Sequence, residues 1–121
     1  MASFAQPKKL SQLLLVSVAA GWTTERGAFA AGDAIGFGTV LAKVGNNYVP
    51  LDPAGVDGSE IAVGVLAEDM PVRAATAIGT VIARGAVLEE TELVWPIMTA
   101  PQTAAALASL DARGIVVRAS L

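Results

Sequence analysis

Asp52, Asp57 and Glu60 are the first residues in the sequence whose types and spacing suggest chemistry, since three carboxylates so close together could offer oxygen ligands to a calcium ion. Their spacing lacks the alternating ligand positions of an EF-hand loop. The stretch around them, DPAGVDGSE, is turn chemistry throughout, so they read as turn residues. Glu89, Glu90 and Glu92 could supply an acid–base pair, but adjacent carboxylates on a strand point to opposite faces and form a solvated edge. Ser59 follows Asp57-Gly58, yet the sequence has no histidine to activate it and no lysine nearby. Gly36 and Gly38 in GFGTVL lack the third glycine of a dinucleotide fingerprint and no strand–helix unit follows, so the stretch is a turn into a strand. With no cysteine, a thiolate zinc site and a disulfide framework are excluded as well. The expectation is a protein that is not an enzyme, with no catalytic, cofactor-binding or metal-binding residues.

Charge and hydropathy point to protein partners instead. The net charge is −3 and the pI near 4.7. The basic residues Arg26, Lys43, Arg73, Arg84, Arg113 and Arg118 are scattered, and the one cluster is Lys8-Lys9. Direct contact with nucleic acid is therefore not expected. Hydrophobic residues make up 54% of the 121, above the usual share for a soluble domain. No apolar run is long enough for a membrane helix, so the excess is expected to cover interfaces, in an oligomer or in a protein docked on a larger body.

The elements that must position such interfaces are mostly strands. Near the N-terminus, LLLVSV has the β-branched, apolar character of a strand in search of a partner sheet. It follows an extended segment holding Pro7 and Lys8-Lys9, and no nearby run offers itself as its partner. The apolar run Leu13–Ala20 behind two lysines also has the outline of a secretory signal, although it is short and broken by Ser17. GTVLAKVGNNYVPLD reads as a β-hairpin turning at Gly45-Asn46-Asn47. IAVGVLAED and AIGTVIARGAVL are strand runs whose many Gly and Ala residues suggest close backbone approach or sharp bends. The one convincing helix is APQTAAALASLDARG, capped by Thr99 or Ala100, with Pro101 in its first turn, Gly114 past its end and a stripe of Leu107 and Leu110. IVVRASL then closes the chain as a strand. The length fits one core, with no repeat and no linker between domains.

Trp95-Pro96 stands out in a chain with two Trp, one Tyr and three Phe. Proline ends ladder pairing, which makes Trp95 a rigid aromatic anchor at the end of a strand. It packs either in the subunit core or against a neighbouring subunit, and the sequence leaves both open.

The order and spacing of AAGDAIGFGTVLAKV, YVPLDPAGVDGSEIAVGVL, VIARGAVL, ELVWP and LASLDARGIVVR resemble the head decoration protein D family of lambdoid and related tailed phages, over about Leu13 to Arg118. Upstream, LLVSVAAGWTTERG is similar to the family's arm-to-core segment, departing from its Ser-Arg-Glu at Thr24-Glu25-Arg26. The resemblance implies a mainly β fold of β-clip-like bent ribbons with one short C-terminal helix and an extended N-terminal arm. It places the arm at residues 1–24 and a β-rich decoration domain at 25–121. It further implies a homotrimer on the outer surface of the expanded phage head, at threefold and quasi-threefold positions, that cements the shell. The arm, here Leu13, Leu14, Leu15, Val16, Val18 and Trp22, would add a strand to the major capsid protein, and Trp95 and Pro96 would anchor the trimer or the core. Two other classes compete: an exported adhesion or receptor-binding module, favoured by the signal-like start, and a β-clip nucleotide-processing enzyme, for which no Gly-rich phosphate loop is present.

Overall fold

The computed structural model describes residues 13–17 and 20–118, so Lys8-Lys9 and Val18 lie outside the described residues. The elements run β1 (Leu14–Ser17), a helical turn α1 (Ala20–Thr23), β2 (Thr24–Phe29), β3 (Val40–Val44), β4 (Asn47–Pro50), β5 (Gly64–Leu66), β6 (Ala77–Ile82), β7 (Ala86–Glu89), a 3-10 turn (Glu90–Glu92), α2 (Ala100–Asp111) and β8 (Ile115–Arg118). The fold is mainly β with one short C-terminal helix, as the sequence suggested; the turns at α1 and Glu90–Glu92 were not legible there.

Five strands close into a barrel in the order β2-β4-β3-β5-β6, and the other three form a sheet in the order β1-β7-β8. The barrel's longest seam is antiparallel β2 on β6, from Thr24 opposite Ile82 to Phe29 opposite Ala77. β3 and β4 make the expected hairpin, with Val44 opposite Asn47. Of the three turn candidates, Gly45 alone takes a positive φ, at 60°.

Two apolar clusters explain why several strands read as unbroken hydrophobic runs. Phe29, Ile35, Leu41, Tyr48, Leu66, Met70 and Val81 form one cluster, with contributions from all five barrel strands. Val40, Ala42, Val65 and Ile82 belong instead to a second cluster, together with Leu13, Ala86, Leu88, Ala106, Leu110 and Ile115 from the sheet and the helix. Successive side chains of a strand point to opposite faces. Leu41 and Ala42, Val65 and Leu66, Val81 and Ile82 therefore serve different clusters, so β3, β5 and β6 are covered on both faces. One face fills the barrel; the other packs under the three-stranded sheet and α2. Strands covered on both faces lose the alternation that marks a half-exposed strand.

The helix starts with a capping box. The Gln102 N–H donates to Thr99 Oγ1 at 3.3 Å and the Thr99 N–H donates to Gln102 Oε1 at 2.9 Å, with Pro101 in the first turn. Its buried positions are Ala106 and Leu110, one turn apart, whereas Leu107 is more than a third exposed. The expected Leu107–Leu110 stripe is thus corrected to Ala106–Leu110, because an i, i+4 pair meets the sheet and small Ala106 permits close approach.

Candidate functional site

The strand expected to seek a partner finds one inside the chain. β1 pairs antiparallel with β7, with Leu14 opposite Leu88, Val16 opposite Val87 and Ser17 opposite Ala86, and the register shifts between Leu14 and Val16. The sequence offered this run no local partner, and the one it has is not local: β7 lies some seventy residues away in sequence, and long-range pairing leaves no local signal. Leu13 is fully buried in the larger cluster and Leu14 packs against it. Burial of one leucine stabilises the fold by roughly 1.5–3 kcal/mol, so Leu13 fastens the start of β1. Among the described residues, β1 is on its other side a sheet edge, as is β8 across the sheet. An edge strand presents unpaired backbone groups that another chain can join. Leu14, Leu15 and Val16 all lie on this edge strand.

Trp22 sits on α1, where the chain passes from the sheet to the barrel, and is half-exposed. Its carbonyl accepts from Arg84 Nη1, while Arg84 Nη2 donates to Glu25 Oε2 at 2.7 Å and Tyr48 Oη donates to Glu25 Oε1 at 2.6 Å. The guanidinium also lies over the Trp22 ring, 5.8 Å from its centroid. Sequence reading missed Glu25, Tyr48 and Arg84. The one signal was a lone charge, Arg84, inside the apolar run VIARGAVL.

The Tyr48 hydroxyl, and after it the Arg84 guanidinium, hold the Glu25 carboxyl below its ordinary value of 4.5. A group of this kind contributes stability above its unfolded-state pKa and loses it as pH falls through the lowered folded value. Urea melts are therefore expected to show stability falling as pH drops from about 5 towards 3, with a shallower fall in Glu25→Gln. Part of the slope should persist in that variant, because Ser59 also lowers the Asp57 carboxyl. An unchanged slope would remove Glu25 from the account. Burial, and after it the bond to Glu25, push the Tyr48 phenol up. Its contribution is present below the ordinary phenol value and is lost as pH rises beyond it.

Trp95 is partly buried and packs against the larger cluster. With Pro96, Thr39, Val40, Pro50, Leu51 and Val94 it lines a cleft of about 170 Å³. The strand-like pairing before it is a single parallel bridge from Thr39 to Val94, and Pro96 follows as the ladder ends. Ile97, next in sequence, is fully exposed.

Asp52, Asp57 and Glu60 accept from groups of their own turn. Asp52 accepts from the Ala54 N–H, Asp57 from the Ser59 N–H and hydroxyl, and Glu60 from the Gly58 N–H. Ser59 is thus a donor within a turn. Glu89 is buried on β7 and accepts from Thr91 Oγ1, whereas Glu90 and Glu92 stand on the 3-10 turn, so the three do not share one solvated strand edge. Among the described residues, no group of three or more carboxylates is placed to hold a metal ion.

Residues 3–115 match a family model described as bacteriophage lambda head decoration protein D. No curated protein matches the chain.

Proposed function

The chain belongs to the bacteriophage lambda head decoration protein D family, and from that premise we propose that it binds the outer surface of the expanded head as a homotrimer, at threefold and quasi-threefold positions, and cements the shell. Membership gives a structural, head-decorating role and association with the phage capsid. The match over residues 3–115 is the observation that carries the reading. The trimer, its placement and its contacts go further.

The arm, residues 1–24, is the capsid-binding element in this reading, with the decoration domain from residue 25. Support comes from the open edge of β1, where a strand of the major capsid protein can add through backbone hydrogen bonds that demand little of side-chain sequence. Leu14, Leu15 and Val16 supply that edge, and Leu13 and Trp22 flank it; Val18, also assigned to the arm, lies outside the described residues. The run that outlined a secretory signal supplies Leu13 to the core and β1 to the sheet, which favours the capsid reading over an exported module.

Cementing follows from linkage. A ligand that binds the intact expanded shell alone stabilises it by mass action, by about 2.7 kcal/mol per site at a hundred times its Kd. Three arms on one trimer raise the affinity further through effective concentration. The net charge of −3 reduces attraction for stray DNA. The half-buried Trp95, the exposed Ile97 and the 54% apolar composition suit subunit contacts. Sedimentation velocity over a concentration series is expected to give a trimer or a monomer–trimer equilibrium; a strict dimer at every concentration would contradict the assembly.

A further inference from the structure

The chain crosses between sheet and barrel at α1, from β1 to β2, and again at Ala83–Gly85, from β6 to β7. These two crossings grip each other. The Thr23 carbonyl accepts from the N–H groups of Ala83, at 2.9 Å, and Arg84, at 3.4 Å. Thr23 is fully buried and its hydroxyl donates to the Gly85 carbonyl at 3.1 Å. The Trp22 ring lies directly on Gly85, where a Cβ would come within 2.2 Å of Cζ3. Gly85 also has a φ of 60°, so a glycine is required there both for space and for backbone conformation. Arg84 spans the joint, holding the Trp22 carbonyl and Glu25, and Glu25 is held in turn by Tyr48 of the barrel. Lys43, on the neighbouring β3, lies over the Tyr48 ring 5.0 Å from its centroid.

We propose that Trp22, Arg84 and Gly85 form a clasp that sets how firmly β1 is seated on β7, so that the edge strand can be fixed or released without unfolding the barrel. β1 is four residues long and its register on β7 is irregular, so its ladder alone is weak. Trp22 and Thr23, held against Arg84 and Gly85, keep the chain that follows β1 close to the start of β7; with the clasp open that constraint is lost and seating β1 costs more closure entropy. Arg84 gives its side-chain hydrogen bonds to the Trp22 carbonyl and to Glu25, neither of them on the β3–β4 hairpin. The Arg84–Glu25 pair is a third exposed, so it can break and reform while the buried core stays packed. The clasp acts within the free protein, whatever the protein binds.

Hydrogen exchange of the free protein tests it, comparing the protected amides of β1 with those of the β3–β4 hairpin. Arg84→Met keeps an unbranched apolar stem but loses both side-chain hydrogen bonds, and it should speed exchange in β1 at least about tenfold while leaving the hairpin amides unchanged. Glu25→Gln should also speed exchange in β1, to a smaller degree, but it frees Tyr48 of the hairpin as well, so the hairpin control is read in Arg84→Met. In a Trp95→Phe background, the remaining Trp22 emission should shift to the red in both variants as the ring leaves Gly85. Unchanged β1 exchange in both variants would overturn the clasp. So would equal acceleration in β1 and the hairpin of Arg84→Met, because that is global destabilisation and not release of one strand.

Discussion

Proline at both Leu14 and Val16 is expected to reduce affinity for expanded shells by at least about 100-fold, or some 2.7 kcal/mol. β1 has four backbone N–H donors and the pair of substitutions removes two of them, besides restricting the backbone around each. Those donors serve the ladder to β7 or the open edge, and the proposed capsid strand needs both: the edge to join, and β7 to hold β1 in place. Because three arms act together on a trimer, the loss at each arm compounds. The barrel strands do not pair with β1, so the far-ultraviolet circular dichroism of the barrel should persist in the variant. If the double-proline protein decorates shells with wild-type affinity and occupancy, strand addition is not how this protein attaches.

Gly64→Val is expected to have the largest effect on the fold itself. A Cβ at Gly64 would stand 2.8 Å from the Ile82 carbonyl oxygen and 2.9 Å from Val81 Cγ1. The first of these belongs to the backbone of β6, which is locked to β5 through Val65–Ile82 and to β2 along six residue pairs. Backbone so constrained cannot give way as a flexible side chain could. The cost is expected at or above the upper end of ordinary overpacking, about 3 kcal/mol or more. For a domain of this size that lowers Tm by more than about 10 °C. A thermal melt within a few degrees of wild type would mean that β5 and β6 can separate in a way this packing excludes.

That glycine was half legible in the sequence. The Gly and Ala content of IAVGVLAED pointed to close backbone approach, but not to which strand approaches, because β5 and β6 meet across an intervening loop. The helix was readable almost to the residue, since Thr99, Pro101 and Gly114 act on their own neighbours. Its buried face was misjudged, as leucine identity suggested a stripe that packing assigned to Ala106 and Leu110. The hairpin was readable for the same local reason, through Gly45. Pairing of β1 with β7, and the meeting of Trp22 with Arg84 and Gly85, join residues about sixty to seventy positions apart. No property of either segment alone encodes them. For the same reason the apolar LLLVSV looked partnerless, and the two-sided burial of β3, β5 and β6 hid the alternation that would have marked them as barrel strands.

Co-sedimentation with shells of the chain's own phage tests the decorating role most directly. The purified protein, in excess, is mixed with expanded and with unexpanded shells, and the bound fraction is quantified in the pellet. It is expected to pellet with expanded shells, saturating at a fixed ratio to the capsid protein, and to stay in the supernatant with unexpanded ones. Equal binding to both, or binding to neither, would contradict the proposal that this protein cements the expanded head.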